Sequence, residues 1–106
     1  MATVFATTIT VSSAGTAVQV SSTPRPFVWA IFHNATGNSD TVYVGGSDVS
    51  ATNGLSLQKV TGSSHHLDVI KFEGKLFAED PPLDLMDFYV DAASSGDKVE
   101  ILAKVL

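Results

Sequence analysis

The chain has 106 residues, a formal net charge of −5 and no cysteine. That length fits one domain, spanning 1–106, and the lack of thiols excludes a disulfide framework or a thiolate metal site. The acidic balance speaks against a nucleic-acid partner, which needs clustered Lys and Arg; here the six basic residues are scattered from Arg25 to Lys104.

The dominant period along the chain is two, the signature of half-buried strands. Phe5, Thr7, Ile9 and Val11 share one face of a first strand, and Val4, Ala6, Thr8 and Thr10 share the other. No charge occurs before Arg25. Edge strands usually carry charge or proline to block pairing with other chains, so residues 3–12 are expected inside a sheet or against a neighbouring subunit. On the second alternative, residues 1–12 form an intersubunit strand or arm, with Phe5 and Ile9 as anchors. The same N-terminus has no basic n-region and no long apolar h-region. No apolar run approaches the ~18 residues that span a bilayer. The expectation is a protein made in a cytoplasm, with no membrane partner.

Ser12–Gly15 punctuates, and Thr16–Val20 reads as a second strand. The two prolines of "SSTPRP" (21–26) remove two amide donors and mark a connection. Phe27–His33 is dense in aromatic and β-branched residues and reads as a third strand. Its alternation places Phe27, Trp29 and Ile31 on one face and Val28, Ala30 and Phe32 on the other. Both faces are apolar, so either a neighbouring subunit or the chain's own loops must cover the second. Residues 34–39 form a loop, and Thr41–Val44 is the next strand.

"TVYVGGSDVSATNGLSL" (41–57) then runs from a strand into paired glycines, a polar turn with its own Asn-Gly, and a returning Leu55 and Leu57. Gly45-Gly46 allows positive φ or close backbone approach. Asp48 and Ser50 can bond nearby amides, and Asn53-Gly54 tolerates left-handed geometry. The stretch reads as a rigid loop on a stable scaffold. Further on, Leu67–Phe72 alternates, Glu73-Gly74 turns, and Lys75–Ala78 follows as a strand. "EDPPLD" (79–84) is a loop with a short helical turn near Leu83–Met86. Met86–Val90 and Val99–Val105 are the closing strands. Turn signals every ten residues or so predict an all-β fold, a compact antiparallel β-sandwich of about eight strands, jelly-roll-like.

Few side chains here form a chemical constellation. Ser64, His66 and Asp68 alternate on one strand face, roughly 6.6 Å apart at Cα with parallel side chains. A hydrolytic triad needs groups converging from different elements beside an oxyanion hole. His65 and His66 point to opposite strand faces, and a structural metal needs about four ligands. Asp40, Asp48, Asp80, Asp84 and Asp87 match no calcium-loop spacing. "NAT" (34–36) fits the glycan acceptor pattern, and "VYVGGS" lacks the lysine and following helix of a phosphate loop. Tyr43, Tyr89 and Trp29, without basic neighbours, read as core or interface rather than base-stacking platforms. No catalytic, cofactor or metal residue is assigned, and the chain is not expected to be an enzyme.

"VYVGGSDVSATNGLSL" resembles a segment recurrent in small virion proteins of tailed bacteriophages. In these a V-Y-V-G strand leads into a polar turn, a Val-Ser or Val-Thr, a Gly and an apolar pair. "LDLMDFYVDAASSGDKVEIL" (83–102) looks like its usual partner: a strand ending in Tyr-Val, a small-residue turn with Gly, and a closing strand. Together they cover about a third of the chain. The resemblance implies a capsid decoration (cement) protein on the head exterior first, and a tail or fibre-base component second. It implies the major capsid protein as partner and no catalytic residues. Small subunits of this kind assemble symmetrically, so a homo-oligomer, a trimer, is expected. The interface candidates are Phe5, Ile9, Phe27, Trp29, Phe32 and Tyr43. A reading of a different class is a carbohydrate-binding module, which exposed aromatics flanking a concave face would favour.

Overall fold

A computed structural model of the chain describes residues 3–59, 67–74 and 81–106. Within them lie eight strands: β1 (Thr3–Thr10), β2 (Val18–Gln19), β3 (Phe27–Asn34), β4 (Val42–Gly45), β5 (Leu55–Leu57), β6 (Val69–Glu73), β7 (Tyr89–Ala92) and β8 (Lys98–Val105). They form two four-stranded antiparallel sheets: sheet A in the order β1-β8-β3-β6, and sheet B in the order β2-β7-β4-β5. The pairing is nested: β1 with β8, β2 with β7, β3 with β6, β4 with β5. A chain that pairs this way is one long hairpin rolled up, and the rolling makes β3–β8 and β4–β7 neighbours. This is the jelly-roll order.

Two expected elements shift. The strand expected over Met86–Val90 begins later, because Leu85–Asp87 forms a 3-10 turn whose N-cap Asp84 accepts from the Met86 amide at 2.8 Å. The same carboxylate accepts from the Arg25 amide at 2.7 Å, which ties the proline connection to this turn. Leu55–Leu57 proves to be a strand, paired with β4, rather than a simple return to the core. Leu57 is buried, but Leu55, at the open end of this short edge, stays 46 % exposed. The strand expected over Lys75–Ala78 lies outside the described residues.

The sandwich interior follows from alternation along the strands. β8 turns Val99, Ile101, Ala103 and Val105 inward and Lys98, Glu100, Leu102 and Lys104 outward. β3 needs a correction. A bulge between Phe27 and Trp29 inserts one residue against β8, so Phe27 pairs with Val105 and Trp29 with Lys104. The bulge switches the parity: Phe27 joins Ala30 and Phe32 on the buried face, while Trp29 and Ile31 face outward. Gly74 sits against the bulge. Its amide donates to the Val28 carbonyl at 2.7 Å, and a Cβ there would lie 2.0 Å from the Phe27 carbonyl oxygen.

Phe27 and Phe32, both fully buried, meet Phe72 of β6 and Phe88 at the entry to β7. Ring centroids stand 5.0–5.8 Å apart around the cluster, with tilted or edge-on planes. Those geometries suit the ring quadrupoles. Phe88 carries the cluster across from sheet A to sheet B. Truncating Phe32 removes the ring that touches both Phe72 and Phe88, and Phe32→Ala is expected to cost about 3–5 kcal/mol of unfolding free energy, read from the midpoint of a urea titration at unchanged slope.

Candidate interaction surface

The outer face of sheet A is assembled from three cross-strand rows. Val4, Lys104, Trp29 and Glu73 form one; Ala6, Leu102, Ile31 and Lys71 the next; Thr8, Glu100, His33 and Val69 the third. The centre is apolar and the margins are charged. Val4 is 65 % and Leu102 40 % exposed. Lys71 pairs with Glu73 at 3.2 Å and lies 5.8 Å from the Trp29 ring centroid. Between β1 and β3, the small side chains of Ala6 and Thr8 leave a shallow depression of about 400 Å³, floored by Ile31 and Leu102 and flanked by His33 and Glu100.

His33 has a side-chain partner at each ring nitrogen on this face. Its Nδ1 lies 2.9 Å from Glu100 on β8, and its Nε2 lies 3.0 Å from Asp68 just before β6. Partial burial, the largest single influence, works against the charged ring; the hydrogen bonds and charges of the two carboxylates together outweigh it and raise the pKa above 6.5. A ring that donates from both nitrogens has no lone pair left for a substrate proton or a metal ion. His33 therefore acts as a cross-strand clasp joining β8, β3 and the start of β6. Asp68, read from sequence beside Ser64 and His66, belongs to this clasp. Ser64, His65 and His66 lie outside the described residues, as does Asp80.

The interface candidates separate in space. Phe27 and Phe32 are core residues with no exposed surface, because the bulge and the strand parity turn them inward; they offer nothing to a partner. Phe5 and Ile9 are half-buried on the inner side of β1, packed against the core margin, and the Arg25 guanidinium stacks 4.1 Å from the Phe5 ring centroid. Trp29 is half-buried on the outer face of sheet A. Tyr43 lies on the other sheet, opposite Asp91 of β7. Asp91 is buried there under the turn after β1 and accepts from the Gly15 amide at 3.0 Å.

The remaining polar motifs are taken up in holding loops. Asn34 is 4 % exposed, and its side-chain amide donates to the carbonyls of Asp40 and Leu57 at 3.0 and 2.9 Å. The nitrogen that a glycan would need is thus occupied. Asn38 bridges Asn34 to the Lys98 backbone, while Asp97 accepts from the Ser39 and Asp40 amides at 2.9 and 3.0 Å. Asp40 itself accepts from the Thr41 amide. Among the described residues no group of three His, Asp or Glu side chains is arranged to hold a metal ion.

No family model, curated protein or solved structure matches the chain. The surface must therefore be read from its own chemistry. Sequence reasoning missed Val4, Ile31, Leu102, His33 and Glu100. Leu102 did leave a signal, as the one apolar residue in the charged series Lys98, Glu100, Lys104. His33 left none, since its partners stand 35 and 67 positions away.

The clasp has a pH signature. Folded His33 holds its proton to a higher pH than unfolded His33, so its contribution to stability is complete below about pH 6.5 and fades as pH rises through the raised value. Thermal melts at about pH 6 and pH 8 are expected to show this decline in the parent, and a smaller decline in His33→Gln.

Proposed function

We propose that this chain is a structural virion protein of a tailed bacteriophage, a capsid decoration protein that binds the outer head lattice through the major capsid protein and reinforces it. The observation that carries the reading is β1. This eight-residue strand lies at the edge of sheet A with no charge, proline or glycine in it, beside an outer face whose centre is apolar. A protein that lives alone usually blunts such an edge. One that lives in an assembly uses it.

Two further points support the reading. The segments that resemble phage virion proteins become neighbours in the fold, since β4 pairs with both β5 and β7 in sheet B. Among the described residues, several polar groups are spent on structure: His33 on a clasp, Asp84 on a helix cap, Asp97 on a loop. No catalytic step is part of the proposal. Jelly rolls serve both viral capsids and lectins, and the fold alone does not choose between them. The depression beside Glu100 and Thr8 is the feature that a carbohydrate-binding role would use.

The test is location. Antibody labelling of purified virions is expected to decorate the head surface, and added protein is expected to raise the temperature at which heads lacking it lose their DNA. Labelling confined to the tail or fibre base transfers the protein to that structure. Absence from virions together with saturable glycan binding overturns the reading in favour of a carbohydrate-binding module.

A further inference from the structure

We infer that β1 is a self-complementary edge through which two copies of the chain pair, antiparallel and about a two-fold axis at Thr7, joining their A sheets into one continuous eight-stranded sheet. The inference rests on strand geometry and stands or falls independently of the virion reading.

The direction of the β1 backbone decides which groups are free. Val11, just past the strand, donates to the Asp97 carbonyl at 2.9 Å and accepts from the Gly96 amide at 2.7 Å, so its peptide groups point toward β8. Antiparallel ladders alternate. Ile9, Thr7, Phe5 and Thr3 therefore bond to β8, and the N–H and C=O groups of Val4, Ala6, Thr8 and Thr10 point to the open side. The other side of β8 obeys the same parity: Ala35 donates to the Lys98 carbonyl, which assigns the even residues of β8 to β3. The side chains of Val4, Ala6, Thr8 and Thr10 are exposed, and among the described residues none of the four has another backbone partner.

A partner strand must supply an extended backbone and tolerate the side chains it meets. A second β1 does both. With Thr7 opposite Thr7 of the second copy, Val4 faces Thr10 and Ala6 faces Thr8, and all four open residues of each copy are used. About eight interchain hydrogen bonds result. Shifting the register by two leaves groups at the ends unpaired. On the inner side, Phe5 meets Ile9 of the second copy, an aromatic–β-branched pair of the kind that stabilises sheets. Thr7 meets itself, a favourable Thr–Thr pair. No charge opposes a like charge across the junction. Arg25, which caps Phe5, is carried to opposite ends of the pair, about 13 Å apart along the strands.

The other open edges fit less well. β2 and β5 span only two and three residues, and β6 carries Lys71 and Glu73. Antiparallel self-pairing closes on two copies, because an isologous contact uses the same patch on both subunits. The geometry thus favours a dimer over the trimer expected from the sequence.

The absence of native cysteine makes a direct test clean. A self-opposed residue in a non-hydrogen-bonded pair has Cα atoms about 4.5 Å apart, within disulfide range. Full-length Thr7→Cys is expected to oxidise to a covalent dimer. Ala6→Cys and Thr8→Cys are not, since those residues sit about 8 Å or more from their own copies. Sedimentation of the unmodified chain should give twice the 11.1 kDa chain mass. Thr8→Pro deletes an amide on the open side only, so it should sediment as a monomer with β-type circular dichroism retained. If Thr8→Pro unfolds, the cysteine series still decides. A monomer at every concentration, a trimer, or cross-linking that favours position 6 or 8 over position 7 overturns the inference. So does an edge taken up only by a different protein on the head.

Discussion

The bulge at the start of β3 is the constraint on which the sandwich turns. Without the extra residue, strict alternation would place Phe27 beside Trp29 on the outer face. With it, Phe27 swings inward against Phe88. The four-ring cluster then reaches from β3 and β6 across to the entry of β7 and so bridges the two sheets. The bulge is itself held by Gly74, whose backbone approaches Phe27 more closely than any side chain would allow. One backbone irregularity thus turns Phe27 into the core, while Trp29 keeps the outward parity of Ile31 and His33.

Polar side chains do the complementary work at the loops. Asp97, Asn34 and Asn38 form a buried network that satisfies the amides of residues 39 and 40 and anchors the β3–β4 connection to the start of β8. Asp91 does the same for the turn after β1. A buried amide left without a partner costs about 1–3 kcal/mol, so these residues matter by preventing loss rather than by adding attraction. Their effect on the surface is indirect. With these loops pinned by backbone acceptors and short polar side chains, none of the described loops covers β1 or the outer face of sheet A.

Much of the architecture was legible in the sequence, because period-two alternation and turn residues are local signals. β1, β3, β4 and β8 fall where their patterns place them, and the jelly-roll sandwich follows from their number and spacing. What escaped depends on non-local facts. The parity of Phe27 depends on an inserted residue that only the register against β8 reveals. β5 is a strand because β4 offers it an edge, not because "LSL" demands one. The surface was legible only in part. The uncharged first strand drew attention to Phe5 and Ile9, but Trp29 and Tyr43 lie on different sheets. The His33 clasp gathers residues from β3, β8 and the turn before β6, which no short window contains.

The neutrality of β1 is not something its own fold requires. The even residues of the strand project onto the outer face of sheet A, beside β8, and β8 places Lys98, Glu100 and Lys104 on that same face. Charge is therefore tolerated one strand away, in the same solvent and on the same side. A lysine at Thr8 or Thr10 would remain solvated and leave the core untouched. The shorter edges are limited by length and β6 by its charged residues, so each of the other three has a device that discourages pairing. Among the described edge strands, β1 alone combines length, regularity and the absence of charge. A feature that folding does not demand, placed where it leaves backbone groups without a partner among the described residues, is what the proposed pairing of two copies would account for.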